Sequence, residues 1–531
     1  MPNKAPKKFD RNLIVIGGGA AGLVSAYIAA TVRAKVTLVE HHKLGGDCLN
    51  YGCVPSKALI TAAKVAHIVR EAPMFGVDAS IDNVDFPKLM DGVYKAIERI
   101  EPHDSAKRYE SLGVEVIQGF ATIVDPWHIR ISSTDAAGED VLLSTRAIIL
   151  ATGAAPIIPD VPGLRDVPHF TSETLWAHLR TLKKRPSALA ILGGGPIGCE
   201  LAQSFARLGS KVSLIDRGDR LLKSEDAEAC QAVLQALQSE GVEIFLNSSL
   251  TGAATLSQNK QSRFTVSCNK QDLPSSEAAS TNSVVQREID ADFIIVAVGR
   301  RARLKGFGLE ALGIDPEKPL RIDEHMQTEV DSIFAAGDVA GRYQFTHVAA
   351  HEAWYASVNS LFGFVKRFKA DYTIIPRAIY TQPEVARVGL SEKELTDKGI
   401  DFETTRFDLT DLDRQLLELG VKGELDESRS STDQTPSRSA TALSKSFVKV
   451  FTKPGKDTIL GATIVSNTAS ENVVEFVSAM KWKRGLNDIL GTIHAYPTHA
   501  EGNKYAAGEW KKANKPGWLL SLAEKLHRVR R

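Results

Sequence analysis

Twice along this chain a continuous apolar run breaks at closely spaced glycines and resumes as a helix-compatible segment, and no other feature limits the available folds as much. Leu13-Ile14-Val15-Ile16 leads into Gly17-Gly18-Gly19-Ala20-Ala21-Gly22 and then into Leu23-Val24-Ser25-Ala26-Tyr27-Ile28-Ala29-Ala30. In a strand–turn–helix unit the first glycine, Gly17, permits the tight turn, and Gly19 lets backbone approach a pyrophosphate. Gly22 lets the helix lie close on the strand, and the helix N-terminus stabilises phosphate charge. A second strand, Val36-Thr37-Leu38-Val39, ends in Glu40, placed to accept hydrogen bonds from a ribose.

The same grammar recurs as Ala188-Leu189-Ala190-Ile191-Leu192, then Gly193-Gly194-Gly195-Pro196-Ile197-Gly198, a helix through Leu208, and Val212-Ser213-Leu214-Ile215-Asp216. An α/β fold with two Rossmann-like dinucleotide-binding domains is predicted. Two such sites in one chain suit a tightly held FAD and a diffusible NADH or NADPH, with a hydride passed between them. Asp216 suits the free ribose of NADH, whereas Arg217, Arg220 and Lys223 suit the 2′-phosphate of NADPH. Both remain open, with a slight lean to NADH. A third nucleotide element, Thr328 to Phe334 followed by Ala335-Ala336-Gly337-Asp338, is a short strand ending in a glycine and a carboxylate that can bond a polyol.

Of the 5 cysteines, Cys199, Cys230 and Cys268 are scattered, but Cys48 and Cys53 share the run Gly45-Gly46-Asp47-Cys48-Leu49-Asn50-Tyr51-Gly52-Cys53-Val54-Pro55-Ser56-Lys57. So few cysteines do not make a disulfide-stapled scaffold, and no apolar stretch is long enough to cross a bilayer, so a cytoplasmic location is expected. There a close pair reads as redox or metal chemistry. A formal net charge of +1 gives no electrostatic case for nucleic acid. The basic lead Met1 to Lys8 lacks the apolar core of a secretory signal and reads as a short disordered segment.

From about residue 10 to about residue 510 the chain resembles the class I pyridine nucleotide-disulfide oxidoreductases, the family of dihydrolipoamide dehydrogenase, glutathione reductase and mercuric reductase. The resemblance rests on the Cys-x4-Cys-Val-Pro-Ser-Lys run, both glycine turns, Ala151-Thr152-Gly153, Gly337-Asp338 and Thr381-Gln382-Pro383-Glu384-Val385-Ala386-Arg387-Val388-Gly389. It implies a redox-active disulfide of Cys48 and Cys53 beside the flavin, with Cys53 facing the flavin as a thiolate and Cys48 meeting the substrate. It further implies that Asp338 holds the ribityl chain, that Lys57 lies near the flavin N5 and pairs with Glu200, and that Gly153 and Gly299 join the cofactor-binding residues. A homodimer follows, built on a C-terminal α+β dimerisation domain.

Disulfide-reducing members carry His-Pro-Thr-x-x-Glu, whose histidine is the partner subunit's acid and base. Here the run is His494-Ala495-Tyr496-Pro497-Thr498-His499-Ala500-Glu501-Gly502, with Tyr496 in the histidine's place and Glu501 retained. A phenol titrating near 10 is a poor substitute for an imidazole near 6.5. Tyrosine there resembles mercuric reductase, where a soft metal ion bound by two thiolates needs no proton shuttle. No resident metal is expected; the ion enters as substrate at Cys48 and Cys53. The adjacent C-terminal cysteine pair and N-terminal Cys-x-x-Cys of many mercuric reductases are missing, and His169 stands where a second tyrosine is expected. The reading is therefore an FAD-dependent NAD(P)H oxidoreductase acting on a soft metal ion or related acceptor. A dihydrolipoyl dehydrogenase and a flavin-based redox sensor stand as alternatives, and His494 or His499 as substitutes for the absent base.

The expected division is residues 1–165 for the FAD-binding domain with the cysteine pair, 166–300 for the NAD(P)-binding domain, 301–372 for a return to the first, 373–512 for the dimerisation domain and 513–531 for a basic tail. Residues 257–288 and 424–446, rich in Ser and Thr, read as inserted mobile surface loops. Phe447–Phe451 and Leu460–Val465 read as strands and Ser470–Lys483 as a helix. The tail, apolar on one side and basic at its end, reads as a soluble terminal helix before a peripheral membrane contact.

Overall fold

The strand Leu13–Ile16 is buried along its whole length, as a strand must be when helices cover both faces of a parallel sheet. In the computed structural model, which describes residues 5–133, 139–256, 261–269, 284–418 and 445–531, it sits in the middle of a seven-stranded sheet. The order is Ile333–Ala335, Ile148–Leu150, Leu13–Ile16, Val36–Glu40, Val114–Asp125, His128–Ser133, Val141–Ser144. The first five strands are parallel, and each of the last two pairs antiparallel with the strand before it. A second, wholly parallel sheet runs Glu243–Phe245, Lys211–Ile215, Ala188–Leu192, Phe293–Val296, His169–Phe170.

The second sheet is inserted into the first in sequence, because Ile148–Leu150 precedes it and Ile333–Ala335 follows it side by side with Ile148–Leu150. A two-stranded antiparallel ribbon, Ala154–Pro156 with Arg300–Ala302, carries the chain out and back. That double crossing brings the two glycine turns to one cleft.

The expected surface loop at 257–288 is corrected in part. Ser262–Asn269 and Val284–Ala291 are strands that pair in register from Ser262 with Ala291 to Asn269 with Val284, and Ser249–Thr255 completes a three-stranded antiparallel sheet. Phe264, Val266 and Cys268 point into the core while Arg263, Thr265 and Ser267 do not, the period of two that a half-buried strand requires. Residues 257–260 and 270–283, and 424–444 of the second expected loop, lie outside the described residues.

A five-stranded antiparallel sheet follows in the order Arg377–Ile379, Glu384–Gly389, Ile459–Ser466, Phe447–Thr452, Glu403–Asp408. The helices Ala469–Lys481 and Glu501–Ala513 pack Phe476, Ala506 and Trp510 into one core with Val448 and Ile464. The helix Pro196–Arg207, which starts at the second glycine turn, fastens this unit to the rest. Gln203 and Gln382 exchange two hydrogen bonds at 2.8 Å, and Arg207 donates to Gln382 Oε1 at 2.9 Å and to both oxygens of Glu240 at 2.7 Å. Arg207 and Glu240 are almost fully shielded, and breaking such a pair from one side costs about 3–5 kcal/mol. Among the described residues no helix is long and apolar enough to cross a membrane, and the helix Gly517–Val529 has no buried residue.

Candidate active-site cleft

The two glycine turns fold alike because each is tied to the acid that ends its second strand. Glu40 accepts from Gly18 N at 2.6 Å and from His42 N at 2.7 Å; Asp216 accepts from Gly194 N and Gly218 N, both at 2.6 Å. Both carboxylates still face a single cleft of about 2280 Å³, lined also by Gly17, Gly19, Gly153, Gly193, Gly195, Gly299, Asp338, Cys48, Cys53, Lys57 and Glu200. Gly22 and Gly198 do not line it. A Cβ on Gly22 would lie 1.7 Å from the Gly17 carbonyl oxygen, and one on Gly198 would lie 1.8 Å from that of Gly193, so these two glycines serve helix-on-strand packing rather than cofactor contact. Arg217 and Lys223 reach the cleft beside Asp216, whereas Arg220 does not line it and donates to the Lys223 carbonyl.

Cys53 is the first residue of the helix Cys53–Glu71, and Thr346 is the first of the helix Thr346–Phe362. The two N-termini meet with Cys53 Sγ and Thr346 Oγ1 3.4 Å apart. Helix N-termini favour negative charge, and the thiolate is the reactive form of cysteine. Cys48 and Cys53 are free thiols here. A hydrogen bond from Cys48 is the main cause that pulls the Cys53 pKa down to about 6, helped by the Thr346 hydroxyl and the Lys57 charge and opposed by burial and Asp47. Donating that bond, with burial added, drives Cys48 far upward. These directions favour a thiolate on Cys53 and a thiol on Cys48.

Lys57 lies one helical turn beyond Cys53 and donates to Glu200 Oε2 at 2.8 Å; the other Glu200 oxygen accepts from Tyr380 N at 2.9 Å. The ammonium also sits over the Tyr380 ring, 4.6 Å from its centroid. Asp338 is pushed up to about 6 by burial, against the pull of Arg300. Behind it, Glu352 accepts from Gly337 N and from Tyr372 Oη, both at 2.8 Å, and burial raises it to about 7.

Asp47, Arg300, Thr346 and Glu352 are site residues that sequence reasoning missed. Arg300 donates to the Ala154 carbonyl at 2.7 Å and lies 3.4 Å from Asp47 and 3.8 Å from Asp338, while its buried Nε has no hydrogen-bond partner. The signal for it was available, since it follows Gly299 just after the apolar run Phe293–Val296. Thr346, 293 residues from the cysteine it meets, carried none, and neither did Glu352, which acts on the cleft through the Gly337 backbone.

Tyr496 and Glu501 do not line the cleft of their own chain. Tyr496 is 69% exposed and its Oη donates to Asp413 Oδ2 at 2.8 Å, which pushes the phenol further above its ordinary value. Glu501 is buried and accepts from Thr498 N at 3.2 Å, holding the turn after Pro497. Both neighbouring histidines are occupied: His494 Nε2 meets Glu475 at 2.9 Å and His499 Nε2 meets Glu418 at 3.0 Å, with both rings shielded.

Residues 11–353 match the family described as pyridine nucleotide-disulphide oxidoreductase, and residues 375–507 match its dimerisation domain. The chain belongs to this family. A pyridine nucleotide-disulphide oxidoreductase is a flavoprotein that uses FAD and NAD(P)H with a disulfide redox centre. The chain is 30% identical to the mercuric reductase of Lysinibacillus sphaericus over 96% of its own length and 84% of the relative's. It is 29% identical to the dihydrolipoyl dehydrogenase of Chlamydia muridarum over 92% and 94%. Among solved structures it is similar to LpdA from Mycobacterium tuberculosis (TM-score 0.77, 23% identity, 94% of this chain and 99% of that one). It is also similar to the Cu(II) complex of the HOCl-induced flavoprotein disulfide reductase RclA from Escherichia coli (TM-score 0.75, 21% identity, 94% and 99%). These structural likenesses bear on the fold.

Proposed function

We propose that the protein is a homodimeric, cytoplasmic NAD(P)H oxidoreductase that delivers two electrons through Cys53 and Cys48 to a soft metal ion of the mercuric type. The observation that carries this reading is the state of the proton-handling groups. The position of the usual base is a phenol bonded to Asp413, and both nearby imidazoles are paired with carboxylates of their own chain. An organic disulfide must collect protons as it is cleaved, and a phenol at this position is poorly suited to hand them over near neutral pH. Two cysteines presenting one thiolate and one thiol suit a thiophilic cation, which binds the Cys53 thiolate and displaces the Cys48 proton.

The cleft suits the cofactors of the family: helix N-termini at both glycine turns, the acids Glu40 and Asp216 in its lining, and a buried guanidinium with a free N–H. Bound FAD supplies the relay of two electrons between NAD(P)H and the cysteine pair. Lys57, fixed by Glu200 and Tyr380, places a positive charge beside the thiolate and stabilises negative charge that develops there. Thr346 holds the Cys53 sulfur by its hydroxyl, and Asp338, positioned through the Gly337–Glu352 bond, offers an acceptor to a polyol. Tyr496, exposed on the dimerisation domain, would face the partner's cleft and close it over the ion.

Purified holoenzyme, reduced by NADH or by NADPH under anaerobic conditions, is offered mercuric ion, oxidised lipoamide, glutathione disulfide and quinones. Fast, thiol-dependent reoxidation by mercuric ion with slow turnover of both disulfides is expected. Rapid lipoamide turnover would refute the metal reading, and acceptor activity that survives alkylation of the reduced cysteines would refute the role of Cys48 and Cys53.

A further inference from the structure

Among the described residues nothing covers the helix Gly517–Val529, none of whose residues is buried. Pro516 starts it, accepting from Leu519 N at 3.0 Å, and His527 and Arg528 in the last turn suit the negative end of the helix dipole. Its side-chain bonds close on itself, Ser521 Oγ to the Gly517 carbonyl at 3.1 Å and Arg528 to Glu524 at 2.8 Å.

Trp518, Leu519, Leu522, Leu526 and Val529 are all exposed. Their spacing, i, i+1, i+4, i+8 and i+11, places them on one face at about 100° per residue. Lys525 borders that face on one side and Arg530 on the other, with Arg528 and Arg531 on the opposite side of the helix. A soluble helix normally buries such a stripe against its own core, and this one does not.

We infer that this helix docks the enzyme on an anionic membrane surface, lying in the interface with Trp518, Leu519, Leu522 and Leu526 among the acyl chains and the basic residues among the phosphates. The charge distribution selects this occupant. Residues 511–531 carry seven Lys or Arg against the single acid Glu524, while the whole chain is at +1, so the preceding 510 residues are net acidic. The positive charge is thus gathered at a helix whose apolar face is uncovered among the described residues, the combination that binds anionic lipid. A second copy of the chain would have to supply an apolar groove rimmed with acids, whereas a bilayer offers both layers without a specific groove. The helix is about 20 Å long, too short to span and suited to lie flat. This inference is independent of the electron acceptor.

The test is flotation of the FAD-loaded full-length protein with vesicles of phosphatidylcholine alone or of phosphatidylcholine and phosphatidylglycerol in equal parts. At least about tenfold stronger binding to the anionic vesicles is expected, weakening as salt rises. The paired substitution Leu522→Glu with Leu526→Glu should abolish it, as should Lys525→Gln with Arg528→Gln, Arg530→Gln and Arg531→Gln, with flavin content, flavin reduction by NAD(P)H and sedimentation unchanged. Three results would overturn the inference: equal binding to both vesicle types or to neither, binding that survives the leucine substitutions and so needs only charge, or a change of oligomeric state in the leucine variant, which would assign the face to a second copy.

Discussion

Replacing Cys48 by alanine removes the strongest of the influences that keep Cys53 ionised. The Cys53 thiol stands at about 6 against an ordinary 9.0, a preference for the thiolate of about 4 kcal/mol. That preference is shared by the Cys48 hydrogen bond, the Thr346 hydroxyl at 3.4 Å and the Lys57 charge, in that order. A hydrogen bond to a charged acceptor contributes about 1.5–3 kcal/mol, so its loss should lift Cys53 to between about 7 and 8. At pH 7 the ionised fraction would fall from about nine-tenths to between about one-half and one-tenth. Cys48→Ser is the matched control, because its hydroxyl still donates.

The assay is the pH dependence of iodoacetamide alkylation, followed by mass spectrometry of the peptide containing Cys53 in the flavin-loaded protein. Cys48→Ala should titrate at least about one pH unit above Cys48→Ser. If the two variants titrate at the same pH, the thiol–thiolate bond is not what ionises Cys53, and the assignment of the proton to Cys48 falls with it.

Tyr496→His restores an imidazole at the turn, and lipoamide or glutathione disulfide turnover should rise by about 10- to 100-fold; no gain in steady-state kcat would weigh against the proton-shuttle argument. Glu352 has a folded pKa of about 7 against an ordinary 4.5, so its contribution to stability is fully present below about pH 4.5 and is lost as pH rises through 7. Glu352→Gln should therefore flatten the fall in stability between pH 5 and 8 by on the order of 2–3 kcal/mol, read from urea melts at both pH values; an unaltered pH slope would refute the buried-acid reading. Gly22→Ala forces a methyl group to within 1.7 Å of the Gly17 oxygen, and should destabilise the first nucleotide unit by about 1–3 kcal/mol and lower the 450 nm flavin absorbance of purified protein. Normal flavin content would show that the turn has room the geometry denies.

What could be read in the sequence was what the chain states locally. A continuous apolar run, three spaced glycines and a terminal acid are short-range signals, and both nucleotide turns fold as those signals require, down to the matching bonds from Gly18 to Glu40 and from Gly194 to Asp216. Lys57 and Glu200, adjacent only in space, were paired through the family resemblance, and they stand 2.8 Å apart. The strands Ser262–Asn269 and Val284–Ala291 escaped because their alternation is embedded in Ser- and Thr-rich surroundings, and composition outweighed a real period of two. Thr346 escaped for a different reason: a threonine at the start of a helix usually signals capping, and only the topology turns its hydroxyl toward a sulfur 293 residues away.

The helix Pro196–Arg207 has a consequence for how this protein can change over time. Its first turn belongs to one nucleotide site, Glu200 reaches the lysine beside the cysteines and the backbone of Tyr380, and Gln203 and Arg207 grip Gln382. Recombination with a relative could replace the second nucleotide unit cleanly only if the donor's residues at positions 200, 203 and 207 suited those kept at 57, 380 and 382. The inserted unit looks exchangeable by its place in the chain, yet its ancestry should be locked to that of the flanking segments, and chimeras cut at 154 and 302 should fold only when those contacts are inherited together.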